Sequence, residues 1–300
     1  MQNILTIYRK ELKSYFNSPI AYIVIIVFLA IVGWFFVNGF FPNDSATMRP
    51  LFDMVPFVFL FFIPAITMRS FSEEKKQGTI ELLLTKPIKD IELVIGKYLA
   101  ALMLTIITLL PTIIYLLVVI NLSLKSDNSL FGGGTGLFVL LLFFAIVIGC
   151  YVFADKFNRQ GKLNMSYLLY AVSLILTILY FVLIFKASYL DWGSVIGGYL
   201  GLILMAAVYI GIGIFTSSLT ENQVISFIVS FIAIFALFMM GKILVQVSPG
   251  LVSIVEYIST DYHFTNISRG VIDSRNIIYY LSMIFITVFI TKVSIESRKW

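Results

Sequence analysis

The residues best suited to hold a metal ion are a histidine and the carboxylates that flank it. His263 is the chain's only histidine, and Glu256, Asp261 and Asp273 lie within ten residues of it. Imidazole nitrogens and carboxylate oxygens are common ligands of zinc. One histidine with scattered carboxylates is far more typical of a polar loop, so the sequence predicts no metal site here.

A glycine-rich motif raises the question of phosphate binding. FGGGTG, residues 131–136, has the glycines of a phosphate loop but lacks the Lys-Ser or Lys-Thr pair that ends a P-loop. The chain has no Walker A motif and no polar segment large enough for an ATPase domain. We therefore predict no catalytic residue and no cofactor in this chain; if ATP drives the protein, another chain hydrolyses it.

The densest group of charges lies in FSEEKKQGTIELLLTKP, residues 71–87, between two apolar segments. Nine Asp, Glu and Lys residues fall within 73–92. A charge at the centre of a span costs about 2.5–3.5 kcal/mol, so nine would cost on the order of 20–30 kcal/mol and the segment must leave the hydrocarbon. Gly78 is expected to break it, Pro87 to end a helix and Asp90 to cap the next one. Such short charged helices suit docking to a soluble partner; an ordered loop without a partner is the alternative.

Composition places the chain in the membrane class. Of its 300 residues 60% are hydrophobic and 12% are charged, and its mean hydropathy is +0.99. Soluble domains carry about 25% charged residues. The net charge of +5 is explained by basic loops beside a membrane, so no nucleic-acid partner is expected.

The windows without Asp, Glu, Lys or Arg predict an all-α polytopic protein with about eight spans, since about 20 apolar residues cross a bilayer. Glu221 and Asn222 divide the long run 192–241 at a turn. The eight windows are 14–43, 54–68, 98–124, 128–154, 163–185, 192–220, 222–241 and 276–291.

The basic residues predict the orientation. With the N-terminus inside, fifteen of the 21 Lys and Arg residues fall on the inner side, which places both termini in the cytoplasm. Residues 1–18 form a predicted amphipathic helix in the cytoplasmic interface. Its apolar stripe is Leu5, Tyr8, Leu12 and Tyr15, and its charged side carries Arg9, Lys10 and Lys13. A plain positively charged flank is the alternative.

Three blocks of sequence resemble the permease subunits of type-2 ABC exporters. The first is FSEEKKQGTIELLLTKPIKDIELVIGKYLAA, residues 71–101, and the second is SSLTENQVISFIVSF, residues 217–231. The third, YHFTNISRGVIDSRNIIYYLS at 262–282, resembles the branch associated with gliding motility and nitrous-oxide-reductase maturation. The blocks stand in the family's order.

The resemblance implies a role for residues 72–92, here called the charged loop. In such permeases this loop docks on a separate ATPase dimer, which binds ATP and Mg, and it transmits the closure of that dimer to the spans. The complex would contain a second permease subunit, identical or paralogous, and would lie in the lipid bilayer of a cell inner membrane. A periplasmic or accessory membrane protein would be a further possible partner. By the match, the coupling positions are Glu73, Glu74, Gln77, Gly78, Thr79 and Glu81.

The chain departs from the six-span family core by an inserted helical pair. The first three spans fall within 19–124, the pair at 136–154 and 166–186 lies within 125–190, and the last three spans occupy 191–300. By resemblance, the outer loop 248–275 would form short helices that dip back into the membrane. Gly197 and Gly201 make a GxxxG pattern that predicts close helix packing, either within one subunit or at a dimer face.

Two other functions stay open. One is a channel or secondary transporter that needs no ATPase, which the lack of charge at the span centres disfavours. The other is a cargo-free mechanical or assembly component of a membrane complex, for which the sequence features would be the same. The substrate and the direction of transport have no signature in the sequence.

Overall fold

The computed structural model describes residues 2–40, 47–80, 88–124, 171, 190–247 and 257–297. Every regular element in these residues is helical, which confirms the predicted all-α class. A 3-10 turn, Leu110–Thr112, follows α5 and contains Pro111. The helices are α1 (Gln2–Asn17), α2 (Pro19–Phe40), α3 (Arg49–Thr67), α4 (Ser72–Lys76), α5 (Asp90–Leu109), α6 (Ile113–Leu124), α7 (Trp192–Leu219), α8 (Gln223–Val247), α9 (Thr260–Ser268) and α10 (Ser274–Glu296).

Six segments of the described residues are long and apolar enough to cross a membrane, so the chain is a multi-pass membrane protein. They correspond to six of the eight predicted windows. The remaining two windows, 128–154 and 163–185, lie outside the described residues except for residue 171, so the count of eight stays a prediction. The six segments are Ala21–Asn38, Arg49–Lys76, Asp90–Ile120, Trp192–Leu219, Gln223–Lys242 and Ser274–Glu296.

The predicted break between the sixth and seventh of the eight windows, at Glu221 and Asn222, is confirmed. Helix α7 ends at Leu219 and α8 begins at Gln223. Asn222 caps the new helix, because its Oδ1 accepts a hydrogen bond from Val224 N at 2.9 Å. This is the side-chain cap that satisfies an otherwise unpaired N–H at a helix start.

The expected cap at Asp90 is wrong by one position. Asp90 is the first residue of α5, and Lys89 has the extended backbone of the N-cap. The Glu92 carboxylate accepts a hydrogen bond from Lys89 N at 3.2 Å. A glutamate at the third helical position can reach back in this way, so a capping carboxylate at Asp90 is not needed.

By its contacts the chain divides into two compact units. The first contains Met1–Asn43, Met48–Thr112 and Gly193–Trp300, and the second contains Asp44–Thr47 and Ile113–Trp192. The predicted inserted pair belongs to the second unit and lies outside the described residues apart from residue 171.

Helix α7 forms the core of the first unit. Its glycines allow close approach, since a Cβ at Gly211 would lie 2.2 Å from Thr287 Oγ1 of α10 and one at Gly213 would lie 2.0 Å from Thr67 Oγ1 of α3. Tyr98 of α5 donates a hydrogen bond to Ala207 O at 3.0 Å. Helix α7 therefore packs against α3 and α10 at distances that larger side chains would forbid, and it is joined to α5 through Tyr98.

Candidate functional site

The start of the charged loop folds into α4, a short helix of about one and a half turns. Glu73 and Glu74 lie in its first turn and Lys75 and Lys76 in its last, which is the arrangement that the helix dipole favours. Gly78 follows with φ +66°, a left-handed conformation that glycine adopts without steric cost. The predicted break at Gly78 is thus confirmed.

The base of α4 is attached to the end of α7. The buried Ser217 Oγ accepts hydrogen bonds from Phe71 N at 3.0 Å and Ser72 N at 3.1 Å. The same hydroxyl donates to Met68 O at 3.0 Å, and the Lys75 ammonium donates to Ser218 O. Two backbone N–H groups at the start of α4, those of Phe71 and Ser72, are therefore satisfied by a helix about 145 residues away in sequence.

Lys97 connects α4 to α1 and α5. This α5 side chain is 3% exposed, and its Nζ lies 2.8 Å from Glu74 Oε1 and 3.3 Å from Glu11 Oε1. The ammonium also lies 5.1 Å from the centre of the Phe71 ring, within the range of a cation–π contact. These residues (Lys97, Glu74 and Glu11) are called the Lys97 cluster below. One buried cation thus bridges carboxylates from two other helices.

Helix α1 covers the expected residues and packs along α5. Ile7 is buried against Gly96, where a Cβ would lie 2.6 Å from Ile7 Cγ2. Asn3 donates a hydrogen bond to Glu92 Oε2 at 3.0 Å. The predicted charged side is exposed at Arg9, Lys10 and Lys13. The location of α1 at a membrane interface stays a prediction.

A polar cavity of about 470 Å³ lies between α1 and α4. Among its walls are Arg69 and Glu74, whose Nε and Oε2 atoms are buried and have no hydrogen-bond partner within the part of the chain that is described. An adjoining cavity of about 210 Å³ includes Tyr15, and burial raises the pKa of Tyr15 to about 12. Charged groups and a neutral phenol therefore line these cavities.

The predicted coupling positions are split between the tip and the base of α4. Gln77 and Gly78 are exposed at the tip, and Gln77 Nε2 lies 3.4 Å from Glu73 Oε1. Glu74 belongs to the buried Lys97 cluster instead. Thr79 donates a hydrogen bond to Glu74 O at 3.2 Å. Glu81 lies outside the described residues.

The glycines predicted to pack helices contact α9 of the same chain. A Cβ at Gly197 would lie 2.1 Å from the backbone oxygen of Ile267, and one at Gly201 would lie 3.0 Å from the ring of Phe264. Ser194 Oγ donates to Ser268 O at 2.8 Å. Of the two alternatives for this pattern, the described contacts are those of packing within one subunit.

His263 on α9 is fully buried among polar and aromatic groups. Its Nδ1 lies 2.7 Å from Asn276 Oδ1, and its Nε2 lies 2.9 Å from Tyr257 O. The imidazole stacks on the Tyr279 ring at 3.9 Å. These contacts occupy both ring nitrogens and indicate a structural histidine that ties α9 to α10.

Residues 51–154 match the family model described as ABC-2 family transporter protein. The match begins within α3, includes α4, α5 and α6, and covers about a third of the chain. It supports the ABC-2 permease family, whose members are membrane transport subunits and not catalysts. No curated protein matches the chain.

Sequence reasoning missed two residues at the base of α4. Lys97 and Ser217 both fall within blocks that resemble the family, and the sequence assigns no role to either of them. The signal for Lys97 was its position, because α5 begins seven residues earlier and places this lysine two turns inside the helix. Nothing in the sequence indicates that Ser217 meets Phe71.

Proposed function

We propose that this chain is the transmembrane permease subunit of an ATP-driven ABC exporter, coupled to a separate ATPase through the charged loop. The observation that carries this proposal is the division of α4 into an exposed tip and an anchored base. Lys76, Gln77 and Gly78 are exposed, whereas Phe71, Ser72 and Lys75 are buried and bonded to α7. An exposed, charged tip on a fixed base is suited to receive force from a partner.

The anchors determine which helices would move with the tip. Ser217 ties α4 to the end of α7, and Lys97 ties it to α5 and α1. Buried, charge-assisted contacts are strong and directional, so a displacement of α4 would be passed on as a rigid movement. ATP and Mg would be bound by the partner, and this chain would contribute coupling and the transport pathway.

The setting of the proposal follows from charge and from the family match. The excess of basic residues on one side supports an inner-membrane protein with both termini in the cytoplasm, where α1 would lie in the interface. The family match supports an ATPase dimer as partner, together with a second permease subunit, identical or paralogous. We assign the gliding-motility and nitrous-oxide-reductase-maturation branch on the block at 262–282 alone.

The experiment separates docking from transmission. The chain is co-purified with ATPase subunits encoded in the same genome, and ATP turnover of the complex is compared with that of the free ATPase. A tip variant, Lys76→Glu with Gln77→Arg, should prevent co-purification. A base variant, Lys97→Met, should still co-purify but lose the change in turnover that complex formation causes. Arg275→Glu, an exposed residue at the start of α10, is the control and should behave as wild type.

The outcomes distinguish the alternatives. A failure to co-purify with any ATPase, or a complex that is indifferent to the tip variant, would refute docking through this loop and favour the channel or secondary transporter. A coupled complex that moves no lipid-like or amphiphilic cargo in proteoliposomes would favour the mechanical component.

A further inference from the structure

An apolar groove of about 660 Å³ runs between α1 and α5. It is separate from the polar cavities near α4, and its lining is apolar except for the hydroxyl of Tyr8. Three of its side chains are at least 37% exposed: Leu5, Leu99 and Met103. The complete lining, called the α1–α5 groove below, is Ile4, Leu5, Tyr8, Ile95, Leu99, Leu102, Met103 and Ile106.

The length of the α1–α5 groove fits one leaflet of a bilayer. Its α5 wall extends from Ile95 to Ile106, which at 1.5 Å per residue is about 16 Å. One leaflet is half of the ~30 Å hydrocarbon core. A single extended acyl chain would therefore lie along the whole wall, and it would restore the dispersion contacts that an empty groove lacks.

The exposed charges of α1 beside the groove are basic, and the Glu92 carboxylate of α5 accepts a hydrogen bond from Asn3. Leu5, Arg9 and Lys13 follow one another at intervals of four residues, so they lie in one row on α1. Leu5 lines the groove, and Arg9 and Lys13 are exposed. The only acidic residue of α1, Glu11, is instead paired with the buried Lys97. The outward face of α1 next to the groove is thus basic.

The walls of the groove are fixed before any ligand binds. Ile7 packs on Gly96, Asn3 bonds to Glu92 and Glu11 pairs with Lys97, so α1 is held to α5 at three levels. A site that is formed in advance loses less entropy on binding than a mobile surface does. This distinguishes the groove from the general lipid-facing surface of the spans.

We propose that the α1–α5 groove binds one acyl chain of an anionic phospholipid, and that Arg9 and Lys13 hold its headgroup. The acyl chain of the lipid supplies the apolar contact along α5, and the lipid phosphate lies at the level of α1. Arginine and lysine near an anionic headgroup each strengthen binding by about fivefold. A zwitterionic lipid with the same acyl chains gains the apolar contact but not this preference.

Native mass spectrometry of the delipidated protein tests the proposal without any ATPase. The protein is titrated with phosphatidylglycerol and with phosphatidylcholine of identical acyl chains. We expect one phosphatidylglycerol to remain bound under collisional activation that removes phosphatidylcholine. Arg9→Glu with Lys13→Glu should lower the phosphatidylglycerol preference at least about fivefold. Leu99→Trp, which fills the groove, should abolish retention of both lipids.

Two matched controls make the result specific. Arg275→Glu reverses an exposed charge at the start of α10, and Leu281→Trp enlarges an exposed apolar residue of α10 that is 55% accessible; both should retain lipid as wild type does. Met103→Trp, which fills the same groove, replaces Leu99→Trp in the test if that variant fails to fold. Equal retention of the two lipids by wild type would overturn the proposal, as would unchanged retention in the Trp variant.

Discussion

Replacing Lys97 with methionine tests whether one buried cation holds α1 and α4 to α5. At an effective dielectric of about 20, the contacts to Glu74 at 2.8 Å and Glu11 at 3.3 Å correspond to roughly 6 and 5 kcal/mol of Coulomb energy before desolvation. Breaking a buried ion pair by removing one partner costs about 3–5 kcal/mol. Both glutamate side chains are 16% exposed, and Glu11 keeps a second cation partner because Lys10 Nζ lies 3.7 Å from its Oε1. We therefore expect the lower end, about 3 kcal/mol.

Amide hydrogen exchange measures this loss where it occurs. Since α1 and α4 lose a shared contact while the rest of the bundle keeps its own, the loss should appear as local opening. A change of about 3 kcal/mol corresponds to exchange that is faster by roughly 100-fold. The amides of 2–17 and 72–77 should show it, and those of α10 should not.

Lys292→Met is the matched control for this experiment. Lys292 and Glu296 form an ion pair at 3.2 Å, but their side chains are 32% and 43% exposed, and an exposed pair of this spacing is worth about 0.3–0.5 kcal/mol. Exchange should change by less than about threefold. If Lys97→Met changes amide exchange in α1 and α4 as little as Lys292→Met does, the inference that the buried Lys97 holds these helices to α5 is refuted.

Three further predictions concern single positions around the same bundle. Gly197→Ala should lower the free energy of unfolding by about 3 kcal/mol or more, because its Cβ would meet the Ile267 backbone. Gly201→Ala should lower it by less than about 1 kcal/mol, because the Phe264 ring can tilt. Equal shifts of the two variants in thermal unfolding would contradict this. Ser217→Ala should cost about 1–3 kcal/mol by leaving two buried N–H groups unpaired, while Ser297→Ala on the exposed end of α10 should leave the melting temperature unchanged. Gly78→Ala should lower local stability by about 1–2 kcal/mol because Gly78 has a positive φ, and Gly78→Asn should lower it distinctly less. Amide exchange across 72–80 measures both losses, and a larger loss for Asn would exclude backbone strain as the cause.

The coarse architecture was predictable because it depends on sums along the chain. Six of the apolar windows coincide with helices long enough to span a membrane, and the turn at Asn222 and the break at Gly78 are where the local residues indicated. The sequence predicts the cap of α5 at Asp90, but the cap is Lys89. Several polar residues near a helix start compete for that position. The GxxxG pattern indicated close packing, but its partner is α9, which the pattern does not specify.

Within the candidate site, the sequence indicated the right segment but not the roles of its residues. Glu73 and Glu74 are adjacent and chemically identical, yet Glu74 is the one that pairs with Lys97. Helical geometry turns neighbouring side chains about 100° apart, so only the packing of α1 and α5 decides which of them is enclosed.

The sequence by itself determined that the chain is helical and that it crosses a membrane several times, and it predicts that the charged loop lies outside the hydrocarbon. Hydropathy and charge are properties of each residue, and the bilayer responds to them segment by segment. Only the tertiary structure decided that Lys97 is buried between Glu74 and Glu11, and that Ser217 holds the start of α4. Those contacts join residues from 23 to 146 positions apart, and such pairs form only when distant helices pack together.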